Sequence, residues 1–308
     1  MRRKGILYQR NIKKENLHDY MLWSLQLVFI TKISLQSDTN MRAFFNFSPT
    51  SLMDKYLLNR FRSAGLVSKF IEIGTDGTTT MHCWAPKERA AGKVEKPSLL
   101  MLHGFGSTAV WQWQKQISAL QPFFDIYVPD LLFFGHSFTS KKERTELFQA
   151  ECVMELMRCL GVPEFSVLGT SYGGFVAFRM AHMFPATVKK VIISNSGILM
   201  TPEDNVNLAS RGHVNTVVDL LLPATPDALS AVSTLVFNRP LRLPRFLLHD
   251  FWSVVYSSNR KEKEELVQGL VLGTAQALPV PQLQQVRSQT GGNCLIHFYL
   301  LGRDFKVV

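Results

Sequence analysis

The sequence predicts an α/β fold: a mostly parallel sheet with helices on its faces and a helical insertion before its last strands. Three observations predict it. Short apolar runs of β-type residues alternate with helical stretches between residues 69 and 196, the rhythm of a parallel sheet with covered faces. One of those runs, FSVL, passes through Gly169-Thr170-Ser171-Tyr172-Gly173 directly into the helical stretch GFVAFRMAHMF. Residues 198–280 then lose the rhythm, becoming Leu-rich and broken by Pro223, Pro226, Pro240 and Pro244. With 308 residues, 46% of them hydrophobic, the chain is long enough for one large domain carrying an inserted subdomain.

In chain order, residues 1–40 share no motif with the remainder and read as an extension. The core is expected over 41–197. It opens with an amphipathic helix whose start is Ser48-Pro49, because proline suits the first helical turn. Residues 69–73 and 80–84 alternate around Gly74-Thr75-Asp76-Gly77 and predict a hairpin. SLLML (98–102) reads as a buried strand, followed by a helix near 110–120. The strand DIYVPD (125–130), a helix near 142–160, the strand before Ser171, its helix, and the strand VKKVIISNS (188–196) complete the core. Residues 198–280 read as a helical cap over the carboxyl edge of the sheet, where open α/β sheets hold ligands. The tail, 281–308, is atypical.

Gly-Thr-Ser-Tyr-Gly is a G-x-S-x-G turn, and its position between a strand and a helix gives it meaning. Gly169 and Gly173 let the backbone fold tightly, which pushes the Ser171 hydroxyl outward. Acyl transfer also needs donors for the oxyanion. The backbone N–H groups of Tyr172 and of Phe105, in His103-Gly104-Phe105-Gly106, are the candidates. Gly104 lets that loop curl. His103 reads as a brace for the loop, since it precedes the nucleophile and sits beside the oxyanion donors.

These residues carry a resemblance. LLMLHGFGS (99–107), VPDLLFFGHS (128–137) and VLGTSYGGFVA (167–177) resemble the α/β-hydrolase superfamily, in its capped esterase, lipase and C–C hydrolase branch. The resemblance covers about residues 65–285. It implies a sheet of the α/β-hydrolase type with a helical cap, Ser171 as nucleophile, and a structural role for the loop holding Asp130, Gly135 and Ser137. Serine at the elbow sets the chain apart from the epoxide hydrolases and haloalkane dehalogenases, which resemble this branch with aspartate there.

The sequence departs from that family downstream. The family order is Ser, then Asp or Glu, then His, with the acid in a G-x-x-D pattern and the histidine in a Gly-His turn. After PVPQLQQ (279–285) the sequence holds neither, and the C-terminal strands of the sheet read as incomplete. Asp304 lies at G-x-D spacing, His297 lies in an apolar run ahead of it, His249 and Asp250 belong to the cap, and Glu203 and Asp204 follow the strand at 188–196 too late. Gln285-Val286 in frame is what a read-through splice donor would encode. The expectation is therefore a truncated chain with an uncovered sheet edge.

Two function classes stay open. One is a hydrolase of small, apolar or lipid-like esters, monoacylglycerols among them, with C–C hydrolysis as its variant. The other is a non-catalytic ligand-binding or regulatory protein of the same fold. The formal charge of +10 is partly local, with seven Lys and Arg against three Asp and Glu in residues 1–40. No basic stripe interleaved with aromatics appears, so nucleic acid is not an expected partner. Cys83, Cys152, Cys159 and Cys294 form no C-x-x-C pair, and His182, His213, His249 and His297 are scattered. No metal or organic cofactor is implied. Free thiols favour a cytoplasmic location. Tyr20–Ile30 is apolar but about half the ~20 residues that span a bilayer. The basic stretch before it resembles a targeting peptide, which leaves membrane association open.

Overall fold

The computed structural model describes residues 48–87, 96–198, 200–236 and 243–270, and the strand residues 284–286 and 298–301. Helix α1 (Pro49–Ser63) comes first. It buries Leu57 and Phe61, and the Phe61 ring meets Trp84 edge-on at 5.4 Å. Gly65, at φ +78°, turns the chain out of the helix, as glycine does at helix ends. Strands β1 (Leu66–Ile73) and β2 (Thr79–Pro86) form the expected antiparallel hairpin.

Strand β3 (Ser98–Leu102) is buried along four of its five residues. The helix expected near 110–120 is two, α2 (Ala109–Trp113) and α3 (Ile117–Leu120). A tighter turn separates them, in which the Gln116 N–H donates to the Trp113 carbonyl at 3.0 Å. Val110, Trp113 and Ile117 belong to the same buried cluster. Strand β4 (Asp125–Pro129) and the short β5 (Phe138–Thr139) follow. Helix α4 (Glu146–Cys159) starts where the Thr145 side chain accepts the Phe148 N–H, the usual N-cap bond. Strand β6 (Phe165–Thr170), helix α5 (Tyr172–Met183) and strand β7 (Val188–Ser194) complete the core.

Strands β4, β3, β6 and β7 pair in parallel, giving a mostly parallel sheet. Its order is β1-β2-β4-β3-β6-β7, followed by β9 (Phe298–Leu301) and β8 (Gln284–Val286), with β5 beside β2. One buried cluster packs α4 and α5 against the sheet, and a second packs α1, α2 and α3. Between α4 and α5, Arg179 grips Glu146 at 2.7 and 2.9 Å, with both side chains almost fully buried.

From 202 to 268 the described elements are helices: α6 (Pro202–Arg211), α7 (Val217–Leu221), α8 (Pro226–Val236), α9 (Arg245–Val255) and α10 (Arg260–Gln268). Thr201 with Asp204, and Thr216 with Asp219, form reciprocal capping boxes, which satisfy donors at the helix starts. Several contacts fasten the last two helices to the core. Asp250 accepts the Thr50 N–H at 2.7 Å, Asn259 donates to the Phe133 carbonyl at 3.2 Å, and Arg144 pairs with Glu265 at 2.9 Å.

The outer edge of β7 is not open, contrary to the sequence expectation. Strand β9 (Phe298–Leu301) pairs with it antiparallel, and β8 (Gln284–Val286) pairs with β9. The run Phe-Tyr-Leu-Leu is made of residues that suit a pleated surface, and it occupies the edge that a missing strand would leave. Residues 1–40, the segment ahead of Gln284, Cys294, His297 and Asp304 lie outside the described residues. Among the described residues no helix is long and apolar enough to cross a membrane.

Candidate active site

Ser171 sits between β6 and α5 at φ 50°, ψ −120°. A β-carbon makes that conformation costly, at about 1–3 kcal/mol, so it persists only where its surroundings impose it. Here they do. The Ser171 N–H donates to the Ser194 carbonyl at 2.9 Å, and its own carbonyl accepts the Gly174 N–H at 2.9 Å. Glycine is required on both sides of the turn. A Cβ on Gly169 would fall on the Gly173 carbonyl, and one on Gly173 would lie 2.5 Å from the carbonyl oxygens of Leu102 and His103. The strand, the helix and the 103–106 loop thus meet at van der Waals distance around one residue.

The loop comes close to the nucleophile itself. A Cβ on Gly104 would stand 3.1 Å from the Ser171 Cβ. Among the described residues, neither the Phe105 N–H nor the Tyr172 N–H makes a hydrogen bond. Tyr172 is the first residue of α5, where the helix has no internal acceptor for its N–H, and a helix N-terminus favours negative charge. The Phe105 ring is fixed edge-on against Phe134 at 5.2 Å and Tyr172 at 5.8 Å.

His103 is wholly buried, and both its ring nitrogens are engaged. Nδ1 bonds the Gly104 carbonyl at 2.8 Å, and Nε2 accepts the Leu131 N–H at 2.9 Å. Those two bonds fix the tautomer, with the proton on Nδ1. Burial depresses its pKa, outweighing the opposing effect of the Asp130 carboxylate and the Gly104 carbonyl. The imidazole is therefore neutral and has no free lone pair for the serine proton. It ties the glycine loop to residue 131.

The loop after β4 is organised by Asp130. Its carboxylate accepts the Ala109 N–H at 2.8 Å and holds His82 Nδ1 at 2.8 Å. Burial opposes its ionisation, but the hydrogen bonds from His82 Nδ1 and the Ala109 N–H hold it below the ordinary carboxylate range. Gly135, at φ 53°, leaves the room the carboxylate needs. Ser137 donates to the Asp130 carbonyl at 2.6 Å and accepts the His82 N–H at 2.9 Å.

From the helical insertion, the Tyr256 ring lies over Gly106, and Lys263 points at the Phe134 ring from 5.4 Å while donating to the Val255 carbonyl at 3.1 Å. Burial pushes the Lys263 ammonium down to about 8.

The sequence candidates therefore divide. Ser171, Gly169, Gly173, Gly104, Phe105, Tyr172 and His103 converge on one spot. The carboxylates and histidine weighed as triad partners do not join them. Asp204 caps α6, Glu203 is exposed beside it, Asp250 caps α1, and His249 is exposed and tilts against Trp252. Among the described residues the Ser171 hydroxyl has no hydrogen-bond partner. His82, whose ring joins Asp130 to Ser68, carried no signal in the sequence, since its partners lie 14 and 48 residues away.

A sequence model described as the alpha/beta hydrolase fold matches residues 97–221. Over 97 residues the chain is 38% identical to a pimeloyl-[acyl-carrier protein] methyl ester esterase of Vibrio campbellii, covering 31% of this chain and 35% of the relative. Over 118 residues it is 29% identical to an uncharacterised protein of Mycobacterium tuberculosis, covering 38% and 34%. The chain thus spans about a third of the length of the curated relatives it matches. Among solved structures it is similar to a bacterial membrane phospholipase A, with a TM-score of 0.58 at 21% identity over 80% of this chain and 75% of the other. At that identity the likeness establishes the fold.

Proposed function

We propose that this chain, which belongs to the α/β-hydrolase superfamily, is a serine hydrolase that cleaves carboxylic esters through an acyl-enzyme on Ser171. One observation carries the reading. A serine is held at φ 50°, ψ −120° between strand and helix, next to two backbone N–H groups that have no other acceptor among the described residues. In this reading Ser171 Oγ attacks the ester carbonyl, and the N–H groups of Phe105 and Tyr172 receive the oxyanion. One such donor is worth about 2.7–4 kcal/mol of barrier. The 38% identity to a methyl ester esterase supports an ester as substrate.

The insertion acts as a cap in this reading. Its Phe251 stands against Trp111 at 5.5 Å, and Tyr256 covers the oxyanion loop. A wall of that composition favours an apolar acyl chain, lipid-like esters included.

The test is a panel of p-nitrophenyl esters and monoacylglycerols with Ser171→Ala as control. Turnover is expected to fall to the buffer rate, a loss of about 10³-fold or more. Turnover that survives the substitution sinks the assignment. A second reading, ligand binding without catalysis, is favoured because the Ser171 hydroxyl has no partner among the described residues, and a serine without a base is a weak nucleophile. Thermal stabilisation by the same esters with no turnover would select it.

A further inference from the structure

A second serine carries the side-chain partners that Ser171 lacks among the described residues. Ser68, exposed on β1, has its Oγ 2.9 Å from His82 Nε2. On the far side of the ring, Nδ1 is 2.8 Å from Asp130 Oδ2. A carboxylate only accepts, so the ring proton lies on Nδ1 and Nε2 accepts the Ser68 O–H. Nucleophile, base and orienting acid are thus joined in one line, the arrangement that activates a serine whatever the fold around it. His82 and Asp130 are 2% and 3% exposed, so the base is fixed and the acid shielded, while the hydroxyl faces water.

The face that carries Ser68 also carries two large apolar side chains in water. Residues directly opposed in an antiparallel pair share a face. The register sets Ser68 against Trp84, Phe70 against His82, and Glu72 against Thr80, which in turn opposes Phe138. Phe70 and Phe138 are 60% and 57% exposed. The Phe70 ring lies 4.9 Å from His82 and 6.0 Å from His136. Two large apolar side chains in water on the face of a hydrogen-bonded serine form a surface for an apolar group.

We propose that Ser68, His82 and Asp130 form a second nucleophilic centre, which accepts acyl groups from activated esters bearing an aromatic or alkyl chain. The Ser68 Oγ–acyl bond forms, and the bond from the acyl carbon to the leaving oxygen breaks. The hydroxyl proton passes to His82 Nε2 and from there to the departing alkoxide. The product is a Ser68 ester and a free alcohol. A fluorophosphonate reports the same attack: the O–P bond forms, fluoride leaves, and the proton stays on His82.

The experiment treats the full chain carrying Ser171→Ala with an alkyl fluorophosphonate and maps adducts by peptide mass spectrometry. Ser68 should label about 10²-fold faster than exposed Ser63, Ser140 and Ser210, the lower range for general-base assistance. His82→Asn should bring it to their rate. Labelling of Ser68 at the rate of the other three overturns the proposal without reference to the variant. A fast rate that persists in a folded His82→Asn protein overturns it as well. Each adduct is read at its own peptide, so the outcome at Ser68 is independent of whether Ser171 is a nucleophile.

Discussion

Ser171, half-buried, and Ser68, exposed, are presented by different means. Ser171 is presented by its backbone: a strained turn, glycines packed against carbonyls, and, at the start of a helix, a Tyr172 N–H without an acceptor among the described residues. Ser68 lies in ordinary extended strand and is served by side chains, with an imidazole and a carboxylate aligned behind it. The first arrangement supplies geometry and electrostatic stabilisation, the second proton transfer. These contributions to catalysis are separable, each worth orders of magnitude in rate. The contrast shows that one domain can build them at separate places, and that the backbone-built one depends on everything packed beneath it.

The largest expected effect comes from beneath the elbow. Arg179 belongs to α5, whose first residue follows Ser171, and its guanidinium meets the buried Glu146 of α4. Glu146→Ala leaves that cation buried without its main partner, which costs about 3–5 kcal/mol. Chemical denaturation should show this loss, and ester turnover should fall with it at temperatures where the wild type is intact. The double variant Glu146→Leu, Arg179→Met should recover most of the stability, since apolar replacement of a buried pair is often neutral. A single variant as stable as the wild type would show that the elbow does not depend on the pair.

Gly173→Ala is the sharper probe of the comparison, because it acts on the backbone alone. The new Cβ would lie 2.5 Å from two carbonyl oxygens, so helix and loop must separate. A displacement of about 1 Å at a reacting atom can cost about 10²-fold in rate, and ester turnover should fall by at least that much. Fluorophosphonate labelling at Ser68 should not change. Equal losses at both serines would mean that the two sites share one packing unit.

The same contrast explains how much was legible in the sequence. The elbow, its glycines and the oxyanion loop are short contiguous runs, so Gly169–Gly173 and His103–Gly106 could be read directly. The hairpin, the parallel strands and the helical stretch after β7 followed from periodicity. The line from Ser68 to Asp130 was invisible, because it joins residues 62 positions apart through the pairing of β1 with β2 and a loop after β4. No spacing rule encodes that. The split of 109–120 into two helices was missed because its apolar pattern suits one helix, and only packing reveals the turn. The pairing of β9 with β7 was missed because the tail was judged by the motifs it lacks, when its Phe-Tyr-Leu-Leu run is enough to hold an edge.

The charges around the two serines also differ in kind. Behind Ser68 lies a buried carboxylate answered by an imidazole. One aromatic ring from the oxyanion loop lies a buried ammonium, Lys263, with a carbonyl and the Phe134 ring as its partners among the described residues. Burial pushes Lys263 down to about 8, from 10.5. The folded chain therefore releases this proton near pH 8, while the unfolded chain keeps it to about 10.5. Between those values the unfolded state binds more protons, so stability rises with pH. Below pH 8 both states are protonated, and the cost of burying the cation is present in full. One pKa unit is worth about 1.4 kcal/mol, and partial access of water to the side chain brings the expected gain across the window to about 2 kcal/mol. Lys263→Met removes the titrating group, so its urea midpoint should lie above the wild type at pH 7 and converge with it towards pH 10.5. Midpoints that run parallel across that range would mean that Lys263 meets a counter-charge in the folded chain, and that the site beside Ser171 is no less paired than the one beside Ser68.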